Sequence, residues 1–214
     1  MLDAQHIEIE KTYIKNSIND KKSMYPKVKR CIDIILAIIL SILVSPLVIF
    51  IALAIKLESK GPIIFKQTRT GRNSKPFEIY KFRSMKEGTP DVPTSQINKS
   101  GCQITKVGKF LRKSSLDEIP QLINILKGDM TFIGPRPVIV SETKLINLRK
   151  EKGIDTLYPG ISGWAQVNGR DEIDIYEKVK YDYEYLQKMS LSFDLKIAFI
   201  TGLKVLKSEG IRDH

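Results

Sequence analysis

The sequence predicts an α/β, membrane-associated fold, mostly helical with short strands. A re-entrant membrane helix-break-helix precedes a compact cytoplasmic domain that carries interfacial amphipathic helices. Three observations predict this. Residues 34–55, IILAIILSILVSPLVIFIALAI, carry no charge, and as a straight helix would extend about 33 Å, enough to cross a bilayer core. Pro46 falls near the middle of that run, and cations flank both ends: Lys27, Lys29 and Arg30 before it, then Lys56, Lys60, Lys66, Arg69 and Arg72 after it. Beyond it, strand-like and helix-like stretches alternate between Gly/Pro loops.

The membrane segment comes first. Pro46 removes one backbone hydrogen bond and crowds the preceding turn, while Ser45 beside it is able to bond the freed carbonyl. A helix that crosses once cannot place both basic flanks on the cytoplasmic side, whereas one that enters and leaves on the same face can. The alternative is a kinked helix that crosses once. The run begins too late and is too long for a signal peptide. The chain therefore divides into a basic N-terminal arm (1–29), weakly helical or disordered on the membrane surface, a membrane helix broken at Ser45-Pro46 (30–57), and a cytoplasmic domain (58–214).

Within that domain, 63–65 and 77–80 have strand composition, separated by the turn residues Gly71-Arg72-Asn73. Residues 86–103, rich in Ser, Thr, Asn, Gly and Pro, read as a loop insertion near a substrate. Helices are expected over 105–112, 119–126, 140–152 and 175–189, with irregular loops at Gly134-Pro135-Arg136-Pro137 and from Tyr158 to Trp164. The stretch 195–207 mixes apolar residues with Lys196, Lys204 and Lys207. It suits either a membrane interface with lysines reaching for headgroups or a helix packed on the core.

Composition narrows the chemistry. Thirty-five Lys and Arg against 24 Asp and Glu give a net charge of +11 over 214 residues, so the expected partners are polyanions: nucleic acid, anionic lipid or phosphorylated small molecules. The two histidines, His6 and His214, sit in the terminal segments, and Cys31 and Cys102 are the only cysteines. A histidine triad, a zinc site and a disulfide framework are all poor fits. Catalysis would fall to carboxylates, Lys, Arg, Tyr or a carboxylate-bound cation.

One stretch has that chemistry: Ser114-Ser115-Leu116-Asp117-Glu118-Ile119-Pro120-Gln121-Leu122. Ser115 and Glu118 have the spacing of a capping box, and two acids suit a first helical turn. Pro120 conflicts with that reading, because it lies too deep and biases Ile119 away from helical angles. The pair is instead expected at a break between helices. Arg112 precedes it, Arg136 stands between two prolines, and Arg170 follows a Gly-flanked loop. A carboxylate among arginines is expected to stay ionised, and either coordinates Mg²⁺ or attacks phosphorus.

The ordered set of Asp33, the run broken at Ser45-Pro46, Tyr80-Lys81-Phe82-Arg83-Ser84-Met85, the Asp117-Glu118 stretch, Lys127-Gly128-Asp129-Met130, Gly134-Pro135-Arg136-Pro137, Pro159-Gly160-Ile161 and Gly163-Trp164-Ala165-Gln166-Val167-Asn168-Gly169-Arg170 resembles the bacterial sugar transferases. These are small monotopic phosphoglycosyltransferases acting on polyprenyl phosphate. The resemblance implies transfer of sugar-1-phosphate from a UDP-sugar to undecaprenyl phosphate with release of UMP. It implies Asp117 as the nucleophile of a covalent phosphosugar intermediate and Glu118 as the Mg²⁺-positioning acid, the pair together forming the metal site. Arg112, Arg136 and Arg170 would hold phosphates and Lys81 would support the site.

It further implies the bacterial inner membrane, with the catalytic domain on the cytoplasmic face, as the location. Membrane lipids, a second copy of the chain and downstream glycosyltransferases are the expected partners, and nucleic acid is not. Capsule, exopolysaccharide, O-antigen and glycoprotein synthesis all remain open, as does the donor sugar. The rival classes are a basic domain that recruits anionic lipid or nucleic acid, and a scaffold without catalysis.

Overall fold

The computed structural model describes residues 2–88, 104–169 and 172–207, with side chains from residue 24 onward. The side chain of His6, residues 89–103 of the expected insertion, Arg170 and His214 lie outside the described residues. Helix α1 (Leu2–Glu58) takes in the N-terminal arm and the apolar run together, so neither the boundary at 29/30 nor Ser45-Pro46 interrupts helical backbone. The arm is thus continuous with the helix that follows. Pro46 has no N–H for the Ile42 carbonyl, and the Ser45 hydroxyl donates to that same carbonyl at 2.8 Å. A neighbouring side chain thereby fills the acceptor that the proline vacates, and the helix continues.

From Met24 to Glu58 this helix is long and apolar enough to cross a membrane by length and composition. One stripe faces the protein: Asp33, Ala37, Ile51 and Ile55 are buried, with Val44 and Val48 packed beside them. The other faces expose Ile42, Leu43 and Phe50, each about two-thirds or more accessible (68%, 68% and 70%). A surface of that kind is stable against lipid rather than water.

Strands β1 (Ile64–Thr70) and β2 (Pro76–Phe82) form an antiparallel hairpin that pairs Phe65 with Lys81. It is longer than the sequence suggests at both strands. Asn73 and Ser74 take left-handed backbone in its turn (φ 55° and 57°). Helix α2 (Lys106–Lys113) opens on Thr105, whose hydroxyl accepts from Gly108 N, while the Glu58 carboxylate at the end of α1 accepts from Lys106 N and Val107 N. Helix α3 (Gln121–Lys127) ends at Gly128 in the left-handed region. Its Asn124, fully buried, accepts from Tyr80 N and donates to Glu78 O, tying α3 to the hairpin edge.

A two-stranded parallel pair, β3 (Thr131–Ile133) and β4 (Gly160–Ser162), was not expected from the sequence. Helix α4 (Thr143–Glu151) lies between them in the chain, and α5 (Trp164–Val167), α6 (Ile175–Lys188) and α7 (Leu191–Lys207) follow. The loops after β3 and around β4 run backbone against backbone: a Cβ at Gly160 would stand 2.2 Å from Gly134 N, and one at Gly163 2.1 Å from Gly134 O. Only glycine permits that approach.

The segment of α1 that leads into the apolar run is fastened by buried charge. Asp194 of α7 accepts from Tyr25, Lys29 and Tyr185, the first two at 2.6 Å and the last at 2.7 Å. Asp33 accepts from the Thr131 hydroxyl and, more weakly, from Phe132 N. Arg30 donates to the carbonyls of Ile125 and Met130. Two of the three cations before the apolar run therefore bond inside the protein. Asp194→Ala leaves the buried Lys29 with only its longer 3.9 Å approach to Asp33, at a cost of about 3 kcal/mol. At roughly 2–4 °C per kcal/mol, the thermal midpoint of the detergent-solubilised protein should fall by on the order of 10 °C.

Candidate active site

The Asp117-Glu118 pair lies on a 3₁₀ turn, Leu116–Glu118, between α2 and α3. Ser115 makes no capping bond through its side chain and instead turns the chain with left-handed backbone (φ 56°). The capping-box alternative is thereby replaced. Ile119 adopts helical angles (φ −51°, ψ −41°), contrary to the expected effect of Pro120. Pro120 itself precedes the first turn of α3 with φ −61°, ψ −14°, where it needs no N–H partner.

The surrounding cations divide unequally between the two carboxylates. Lys81, in β2, reaches Glu118 at 2.8 Å, and Arg136 approaches the same carboxylate at 3.9 Å. Among the described residues no cation comes within 4 Å of Asp117. Burial pushes the Asp117 carboxyl above the usual aspartate range. Lys81 opposes this most strongly, Glu118 adds to it, and Arg112 and Arg136 oppose it further. Desolvation thus outweighs the cations in setting the direction of this shift.

Arg112, on α2, has a buried Nη1 without a hydrogen-bond partner, an arm available to a phosphate oxygen. Arg136 is set by its loop, whose carbonyl accepts from Arg149 Nη1 at 2.8 Å. Arg149 also grips the buried Asp182 with two bonds of 2.7 and 3.0 Å. The sequence gives no local sign of this support, because Arg149 and Asp182 fall in ordinary amphipathic helices. Lys81, Arg112, Arg136, Asp117 and Glu118 thus come together. Arg170 lies outside the described residues, and Ser45 and Pro46 are exposed on α1 away from the turn.

Glu118 and Arg136 line a groove of about 580 Å³. Its walls include Leu40 and Val44 from α1, Ile161 from β4 and Thr201, Lys204 and Val205 from α7. For a divalent cation, the described residues contain no cluster of three or more His, Cys, Asp or Glu. The carboxylate pair fits a Mg²⁺ that takes one or two protein oxygens and completes its shell with water and substrate phosphate.

These features place an acidic pair among cations on a domain attached to an apolar helix. Residues 24–208 match the family model described as bacterial sugar transferase, and the chain belongs to that family. Among its relatives, the UDP-glucose:undecaprenyl-phosphate glucose-1-phosphate transferase of Escherichia coli is 46% identical over 183 residues, 82% of this chain and 39% of that protein. The UDP-N-acetylgalactosamine-undecaprenyl-phosphate N-acetylgalactosaminephosphotransferase of Aeromonas hydrophila is 39% identical over 198 residues, 88% of this chain and 46% of that protein. An uncharacterized sugar transferase of Bacillus subtilis, EpsL, is 39% identical over 184 residues, 86% of this chain and 90% of that protein. The chain spans about two fifths of the length of the first of these.

The Lys81–Glu118 pair is open to a double-mutant cycle. Lys81→Met alone leaves a half-buried carboxylate under-neutralised, and adding Glu118→Gln recovers part of the loss. A coupling of roughly 1–3 kcal/mol is expected from thermal or chemical unfolding of the four proteins.

Proposed function

We propose that the protein transfers sugar-1-phosphate from a UDP-sugar to undecaprenyl phosphate and releases UMP. The observation that carries this reading is the division of labour in the acidic pair: Glu118 is held by Lys81 and Arg136, while Asp117 stands beside the same cations without an ion pair among the described residues. An Asp117 oxygen attacks the sugar-bearing phosphorus. A P–O bond to it forms, the bond to the bridging oxygen breaks, and UMP leaves with that electron pair. A phosphate oxygen of the lipid then attacks the same phosphorus and displaces the Asp117 carboxylate, giving the lipid diphosphate sugar.

Arg112 and Arg136 bind and orient phosphate oxygens, and Lys81 fixes Glu118. Mg²⁺, held by the Asp117-Glu118 pair, would supply neutralisation of the diphosphate charge. Splitting the reaction into two steps lets one small site serve both substrates in turn. Names of relatives include glucose, N-acetylgalactosamine and galactose, so all three belong in the test panel.

Supplied with the right UDP-sugar, Mg²⁺ and undecaprenyl phosphate, the solubilised protein should release UMP, and EDTA should stop release until Mg²⁺ is restored. Without lipid, intact mass should rise by one phosphosugar, and Asp117→Asn should lose both adduct and turnover. An Asp117→Asn protein that keeps most of its turnover rejects Asp117 as the nucleophile.

The same reading places the domain on the cytoplasmic face of the inner membrane, with α1 re-entrant. Its support is that the apolar run of α1 meets one domain at both of its ends: Lys29 and Arg30 just before it, Ile55 and Glu58 at its close. Single cysteines at Lys27 and Lys60, in a background without Cys31 and Cys102, should both react with a membrane-impermeant maleimide from the cytoplasmic side. Labelling of the two from opposite sides establishes a single crossing.

A further inference from the structure

We propose that Lys204 receives the phosphate of the acceptor lipid, and that the groove in which it stands takes the isoprene units nearest that phosphate. This rests on the transfer reaction proposed above. The sequence suits the last helix either to a membrane interface with its lysines reaching for headgroups or to packing on the core, and α7 does not treat those lysines alike. Lys196 lies over the Trp164 ring at 5.3 Å and Lys207 is exposed. Lys204 is half-buried and lines the same groove as Glu118 and Arg136.

Its position on the helix makes this placement unusual. Ile197, Ile200, Thr201 and Lys204 recur at helical spacing on the face of α7 turned to the domain; Ile197 is fully buried and Ile200 packs beside it. The Thr201 hydroxyl donates to Ile197 O at 2.7 Å and shares a 2.6 Å hydrogen bond with Ser162 of β4. That bond fixes α7 against the sheet one turn before Lys204. Lys204 is half-buried, and among the described residues no carboxylate lies within 4 Å of its ammonium, although Glu118 and Glu172 line the same groove. Its ammonium is therefore open to an anionic ligand in the groove.

The groove indicates which anion. Leu40 and Val44 of α1 form one wall, and Val205 of α7 and Ile161 another. Leu40 is 37% exposed and its neighbour Leu43 is 68% exposed on the apolar surface. A hydrocarbon chain can therefore pass from that surface into the groove without crossing water, while its phosphate meets the cations that line it. A nucleotide sugar has no apolar tail to cover these walls. A phosphomonoester on an isoprenoid chain matches both parts.

The two half-reactions separate this role from donor binding and from folding. In Lys204→Met, the adduct formed from UDP-sugar without lipid, followed by intact mass and by UMP release, should appear at the wild-type rate. The KM for undecaprenyl phosphate should rise at least tenfold, and Lys204→Arg should restore most of it. Leu40→Trp, which fills the groove from the α1 side at a residue 37% exposed, should raise the same KM and spare adduct formation. An unchanged acceptor KM in Lys204→Met overturns the proposal. So does an adduct slowed as much as overall turnover, which would assign Lys204 to the donor or to the fold. Wild-type protein that forms no adduct with any UDP-sugar overturns the transfer reaction itself, and this inference with it.

Discussion

Between Lys29 and Glu58 the long helix meets the rest of the protein along one stripe, and the other elements are arranged around that contact. Ala37 enters a cluster with Ile79, Leu122, Ile125 and Met130, and one turn after another Val44, Val48, Ile51 and Ile55 continue it to Phe82 and Leu111. The hairpin, α2 and α3 each rest on this stripe. The catalytic turn between α2 and α3 inherits its position from a helix whose remaining faces are apolar and uncovered. Hydrophobic burial supplies most of that attachment. The Lys29–Asp194 pair and Asp33–Thr131 bond fix its start and register, because a buried ion pair has few geometries that satisfy it.

The site resolves an electrostatic conflict. Under the proposed reaction, a protein of charge +11 would need cations close to the reacting atoms, yet a nucleophilic carboxylate locked in a salt bridge would be a poor attacker. Here Glu118 takes the lysine, and Asp117 feels the same field from slightly farther away. Desolvation raises the energy of the ionised Asp117, and the cations recover part of that cost. A second tier, Arg149 between Asp182 and the Arg136 carbonyl, holds Arg136 without competing for substrate oxygens. Preorganisation of this kind means that little reorganisation accompanies a charged transition state.

The groove joins these two themes. Its apolar walls come partly from the helix stripe and partly from α7, and its polar lining includes Glu118 and Arg136. Under the proposed reaction, substrates from water and from the bilayer would approach one pair of carboxylates by different routes, which suits sequential use of a single nucleophile.

Much of this is written locally in the chain. The charge-free run with Pro46, the hairpin around Gly71, the helices on either side of the acidic turn and the residues of that turn all follow from periodicity, turn chemistry and motif order, since each depends on neighbours within a few positions. Helical continuity through Ser45-Pro46 does not, because it hinges on the Ser45 hydroxyl reaching Ile42 O. The parallel pairing of β3 with β4 is equally hidden: each strand is three residues long and its partner is distant in the chain. The sequence by itself determined the chemical inventory, two adjacent acids among lysines and arginines beside an apolar helix. Only the tertiary structure decided which acid is paired, that Lys29 and Arg30 bond inward, and that Lys204 faces the groove, because contacts between residues far apart in sequence leave no periodic trace.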